Sequence, residues 1–196
     1  AEIYTYKEDY KKALFYAENA LGIQRKLNSN VGLARCLSTA AGVYIGLKQY
    51  TDAIKYLRQA ESLIDDENEG SIAEGIYNNI GRCYNEMGNV DEAERYYLKA
   101  LEQCEYYENT YSETIILNNL GQIYLTKGKN DLAEKYLLKA LPMAEQTGSF
   151  LDLADIHSNL ADVYFSEKNF KQAYKHKEAF IAFSDSVMNK EKMKTI

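Results

Sequence analysis

The small and apolar residues of this chain repeat with a period of forty. A small residue followed three places later by tyrosine occurs at Ala1/Tyr4, Ala41/Tyr44, Gly81/Tyr84, Gly121/Tyr124 and Ala161/Tyr164. Twelve places after each small residue stands alanine, at Ala13, Ala53, Ala93, Ala133 and Ala173. Seven places further on come Ala20, Ala60, Ala100 and Ala140, with Phe180 in the fifth copy. Tyr16, Tyr56, Tyr96 and Tyr136 lie between them, and His176 takes the fifth place. The register never slips, so no insertion separates the copies. A fixed period of this length is the mark of a repeat architecture.

Each period carries two helical patterns. Leu117, Leu120, Gly121, Tyr124 and Gly128 recur at helical spacing. After a turn around Lys129 and Asn130, Ala133, Tyr136, Leu137, Ala140 and Leu141 do the same. The spacing predicts first helices over 30–47, 70–87, 110–127 and 150–167, and second helices over 7–27, 50–65, 90–107, 130–147 and 170–190. Ser71/Glu74, Asn89/Glu92 and Thr110/Glu113 have the spacing of capping boxes, in which the two side chains satisfy unpaired amides of the first turn. Pro142 falls inside the 130–147 pattern, where its ring should remove the bond to Leu138 and kink or end the helix near Ala140–Pro142. Gly or Ala on the first helix, facing Ala on the second, predicts close antiparallel approach of the two backbones, with tyrosine beside the contact. Such pairs bury their apolar faces only by stacking on one another.

The segments NNIGRCYNEMGNVDEAERYYLKALE and NNLGQIYLTKGKNDLAEKYLLKALP carry a pattern that resembles the tetratricopeptide repeat family, over nearly the whole chain. The resemblance implies an all-α fold, a right-handed superhelical solenoid of antiparallel helix pairs. It would comprise a partial repeat at 1–28, repeats at 29–68, 69–108, 109–148 and 149–190, and a tail at 191–196. The period exceeds the family's commonest thirty-four, which predicts longer helices. Ala1 stands where the middle of a first helix is expected, so the chain reads as a piece of a longer protein. The tail SDSVMNKEKMKTI resembles the segment after the repeats in repeat-bearing bacterial sensor kinases and transcription regulators. Phe180, Ile181, Phe183, Val187 and Met188 form an apolar set on the last helix, which predicts self-association or coverage by further chain.

Composition narrows the function. With 46% hydrophobic and 27% charged residues the chain can pack a core and solvate its surface. A net charge of −6 argues against a duplex-binding surface, and no direct nucleic-acid contact is expected of this segment. Cys36, Cys83 and Cys104 are an odd number without paired short spacing, which suggests buried or half-buried thiols rather than a disulfide framework or a zinc site. His157 takes the place of Leu37, Tyr77 and Leu117, and His176 that of the recurrent tyrosine; both read as packing substitutions with hydrogen-bonded rings. The DDENE run at 65–69 reads as a solvated turn. The glycines serve helix contacts and turns rather than a phosphate loop, and no cofactor, metal or catalytic constellation is expected. No apolar run approaches the roughly 20 residues of a membrane span. With an upstream segment expected, the compartment stays open between cytoplasm and periplasm.

On each first helix the face opposite the packed one holds residues at i, i+4, i+7 and i+11. These are Arg35, Thr39, Gly42 and Gly46; Gly75, Asn79, Arg82 and Glu86; Ile115, Asn119, Gln122 and Thr126; and Asp155, Asn159, Asp162 and Ser166. In the family it resembles, first helices line a concave groove where peptides bind. The candidate ligand contacts are therefore Arg35, Asn79, Arg82, Asn119, Gln122, Asn159 and Asp162. Asn79, Asn119 and Asn159 share the second stripe position, where an amide offers both donor and acceptor to an extended peptide backbone. Arg35 and Arg82 lie early and Asp155 and Asp162 late, which suits a ligand of opposite polarity. The expected function is a non-catalytic protein- or peptide-binding module, the sensory or docking part of a larger signalling or transcription-regulatory protein. The alternative is a structural adaptor that assembles through its convex face and apolar ends, with homo-oligomers formed through the terminal helices.

Overall fold

The computed structural model describes residues 10–27, 29–64 and 70–194, and among them every regular element is an α-helix. The elements are α1 (Tyr10–Leu27), α2 (Asn30–Gly46), α3 (Tyr50–Glu61), α4 (Gly70–Glu86), α5 (Val90–Tyr106), α6 (Thr110–Thr126), α7 (Asn130–Thr147), α8 (Phe150–Ser166) and α9 (Phe170–Lys194). Starts and ends follow the predicted periodicity closely, apart from α3, which stops at Glu61 rather than 65, and α9, which runs on to Lys194 rather than 190. The Ala1/Tyr4 pair and the DDENE run lie outside the described residues.

The chain divides into two compact units, Ala1–Glu108 and Asn109–Ile196, and the division falls on a boundary between repeats. In the first unit α2 packs against α1, α3 and α4, and α4 packs in turn against α3 and α5. In the second, α6 packs against α7 and α8, while α8 also contacts α7 and α9. Each first helix therefore meets its own second helix and a first helix of a neighbouring copy.

A three-residue turn reverses the chain inside every repeat. Its closing bond is the same each time: the amides of Gln49, Asn89, Lys129 and Asn169 donate to the carbonyls of Tyr44, Tyr84, Tyr124 and Tyr164, each at 2.8 Å. The residue before the donor is left-handed, with φ of 77° at Gly88 and 67° at Gly128. Glycine takes this conformation without a Cβ clash, whereas Lys48 at 58° and Lys168 at 62° hold it under strain.

Within each pair the recurrent tyrosines meet face to face. Tyr44 stacks on Tyr56 with centroids 5.1 Å apart, Tyr84 on Tyr96 at 5.9 Å, Tyr124 on Tyr136 at 5.2 Å, and Tyr164 on His176 at 5.3 Å. Close approach of the backbones follows the prediction, but the partner differs. A Cβ added at Gly121 would lie 2.5 Å from the Leu137 side chain, and one at Gly81 would lie 2.8 Å from the Tyr97 ring. The small residue thus receives the side chain sixteen places on. The alanine twelve places on, wholly buried in every repeat through Ala133, keeps the helices close around that contact. Ala133→Leu should overpack this closed interior and lower unfolding free energy by about 1–3 kcal/mol. A thermal midpoint equal to the parent's would show that the space around Ala133 is open.

The caps differ from the expected boxes by one residue or by partner. Asn109, not Thr110, caps α6, its side-chain oxygen accepting from the Ser112 amide at 3.2 Å. Glu113 instead reaches Lys139 of α7 at 2.9 Å. Asn89 precedes α5 without a side-chain cap bond, and Glu92 pairs with Arg95. Glu74 is buried and accepts from the Cys104 thiol at 3.2 Å. Sequence reasoning passed over two serine caps: Ser29 accepts from the Gly32 amide at 3.1 Å and Ser149 from the Asp152 amide at 3.4 Å.

Pro142 does not end its helix. α7 runs on to Thr147 and closes at Gly148 in the left-handed conformation. Pro142 and Leu138, whose carbonyl loses its amide partner, are both exposed, so water can serve that carbonyl. Ala140 and Ala144, wholly buried on either side of the proline, hold the helix in place.

Candidate functional site

The candidate contacts lie on the side of each first helix turned away from its buried residues. In the first unit α2 buries Ala34, Leu37, Ala41 and Val43, which leaves Arg35 exposed. On α4 the buried positions Ala73, Ile76, Tyr77 and Ile80 leave Arg82 exposed and Asn79 half-buried. A Cβ built on Gly42 or Gly75 would meet nothing within 4 Å, so the backbone of this face is open. In the second unit α6 buries Ile116, Leu117, Leu120 and Ile123, leaving Gln122 exposed and Asn119 half-buried. Asp162 is exposed and Asn159 half-buried on α8. The first unit therefore offers Arg35, Asn79 and Arg82, and the second Asn119, Gln122, Asn159 and Asp162, each set on one face of adjacent first helices.

Several stripe positions are already engaged. The Asn159 amide nitrogen donates to the Asn118 side-chain oxygen at 2.9 Å, which ties α8 to α6 and commits part of Asn159's hydrogen-bonding capacity to the fold. The Thr39 and Thr126 hydroxyls donate to the carbonyls of Arg35 and Gln122 in their own helices. The last stripe position faces sideways rather than into a groove. Gly46 receives the Tyr10 ring, Glu86 accepts from the Tyr50 hydroxyl at 2.9 Å, and the Ser166 hydroxyl accepts from the Asn130 amide at 2.6 Å. In each case the first residue of a second helix holds the end of the next first helix. On α8, desolvation and then Asp152 push the Asp155 carboxyl above the usual carboxylate range.

A second surface was missed in the sequence. Phe165 of α8 and Phe170 and Tyr174 of α9 are 65%, 60% and 67% exposed. With Ala161, Asp162, Ala173 and Lys177 they line a hollow of about 480 Å³. Lys177 stands where the three preceding repeats carry Leu57, Tyr97 and Leu137, so a polar residue takes the site that in those repeats receives a large apolar one. Phe165 and Phe170, five residues apart across the turn, give a signal visible in the sequence once the turn is placed. Of the apolar set expected on α9, Ile181 and Met188 are exposed, whereas Phe183 packs on Phe150 and His157.

Cys83 and Cys104 are buried and Cys36 half-buried, none of the three in a disulfide, and burial pushes the Cys83 thiol up to about 11. Among the described residues no group of three or more His, Cys, Asp and Glu is placed to hold a metal ion. No described helix is long and apolar enough to cross a membrane.

Comparison with known proteins places the fold. The family described as Tetratricopeptide repeat matches residues 1–65 and 73–146. Response regulator aspartate phosphatase E of Bacillus subtilis is 29% identical over 107 residues, which cover 53% of this chain and 28% of that protein. The crystal structure of BtubC (BKLC) from P. vanneervenii superposes with a TM-score of 0.75 at 20% identity, covering 90% of this chain and 74% of that one. The Rap conjugation gene regulator of plasmid pLS20, solved with the Phr* peptide, also reaches 0.75 at 20% identity, over 95% of this chain and 52% of its own. The chain thus spans about a quarter of the curated relative and half of the peptide-bound structure. The forty-residue period, the antiparallel helix pairs and the sequence match together establish that this chain belongs to the tetratricopeptide repeat family.

Proposed function

We propose that this chain is a peptide-binding module that serves as the sensing or docking part of a regulatory protein, and that it takes an extended peptide along the exposed face of its first helices. The observation that carries this reading is the repeated placement of amide and charged side chains there: Arg35, Asn79 and Arg82 in one unit, and Asn119, Gln122, Asn159 and Asp162 in the other. A side-chain amide beside an open backbone face can bond an extended chain without reading its side chains. The similar regulator of plasmid pLS20, which holds a Phr* peptide, supports a peptide as the ligand class. The test is to select binders from a random library of short peptides and map the bound one by hydrogen exchange. Protection of the stripe within a unit is expected, on α2 and α4 or on α6 and α8.

The second reading is an assembly scaffold, favoured by the exposed Phe165, Phe170 and Tyr174 surface. Under that reading protection maps to the α8–α9 turn instead, and sedimentation shows self-association that Phe170→Glu abolishes. Either result would displace the peptide-binding reading.

A further inference from the structure

The two histidines of the chain meet. His157 of α8 and His176 of α9 place their Nδ1 atoms 2.8 Å apart, and their rings lie 5.1 Å centroid to centroid. His176 is buried at 8% exposure and stacks on Tyr164, whose hydroxyl donates to Glu134 of α7 at 2.5 Å. His157 lies parallel to the Phe183 ring of α9, 5.6 Å away and 5° from coplanar. The corresponding positions of the preceding repeat hold Leu117 and Tyr136. Only the last helix pair is closed by imidazoles.

We propose that His157 and His176 form a proton-sensitive latch that holds α9 against α8 at neutral pH and releases it as the surroundings acidify. The geometry requires one Nδ1 to carry a hydrogen and the other to present its lone pair. A first added proton can go to the Nε2 of the donor ring and leave the bond intact. The second must go to the accepting Nδ1, which breaks the bond and sets two imidazolium rings against each other in a partly desolvated site. The two titrations are therefore coupled. Burial holds both imidazoles below their usual range, and for His176 the charge of His157 follows burial as the next cause. The other charges acting on the pair are Glu145 of α7, which favours protonation of His157, and Lys175 of α9, which opposes protonation of both. Tyr164 faces His176 from α8 with its hydroxyl already bound to Glu134. With folded values below the unfolded ones, the released state binds more protons. Docking is then complete above the ordinary imidazole range near 6.5 and weakens as pH falls through that range towards the depressed folded values.

Hydrogen exchange of the chain at about pH 7.5 and about pH 5, corrected for intrinsic rates, tests the latch. The α9 amides should lose about tenfold of their protection on acidification, as docking of the helix weakens. The double variant His157→Leu/His176→Tyr, which restores the residues of the preceding repeat, should keep its protection at both values. An equal loss in parent and variant, or none in the parent, would overturn the proposal. Should the variant fail to fold, NMR titration of the two imidazole C2 protons in the parent decides. Both should titrate below about 6.5, and a value at or above that for either ring overturns the latch.

Discussion

Leu137→Ala is expected to cost the second unit about 2–5 kcal/mol, the range for a buried leucine whose removal leaves a cavity. Leu137 is wholly buried, and it fills the space in front of Gly121. The reciprocal change, Gly121→Ala, brings a Cβ to 2.5 Å from the Leu137 Cγ. A buried leucine has little room to turn aside, so overpacking of about 1–3 kcal/mol outweighs the roughly 1 kcal/mol that alanine adds to helix propensity. The double variant Gly121→Ala/Leu137→Ala should be more stable than Leu137→Ala alone, because the new methyl occupies part of the vacated space. Urea unfolding of all four proteins yields the coupling energy, expected between about 0.5 and 3 kcal/mol. Strict additivity would mean that Gly121 and Leu137 do not share a contact, and the account of helix pairing would fall with it.

Asn119→Ala should weaken binding of a selected peptide by roughly two- to a hundredfold, which corresponds to one or two hydrogen bonds of about 0.5–1.5 kcal/mol each. The residue lies half-buried at the middle of α6, beside exposed Gln122. Lys135→Ala, at an exposed position of the second helix α7, is the control and should bind as the parent does. Asn159→Ala has an effect of its own. Its amide already bonds Asn118, so its loss should also lower stability by about 0.5–1.5 kcal/mol. Calorimetric titration of the same peptide into the four proteins, with thermal melts alongside, separates the cases. Equal affinities for parent, Asn119→Ala and Lys135→Ala would assign the asparagines to the fold alone and bring the assembly reading forward.

What the amino-acid sequence determined by itself is the set of helices and their order. A period of forty with apolar positions at helical spacing is local information, and it located α2, α4, α6 and α8 to within a residue at either end. The same local logic allowed an end at Pro142 that does not occur, because the burial of Ala140 and Ala144, a tertiary effect, holds α7 together past a residue that weakens it. The exposed face of each first helix was also legible, since whatever lies opposite a buried stripe must face outward. Which side chains meet across helices was not. The tilt and rotation of one helix against another decided that Gly121 receives Leu137, that Asn159 binds Asn118, and that Glu86 and Ser166 are held from the side by Tyr50 and Asn130. His157 and His176 show the same division. Their replacement of repeat residues is plain in the sequence, but their meeting at 2.8 Å depends on the packing of α9 on α8, because side-chain direction is set by the geometry between helices and not by spacing along either one.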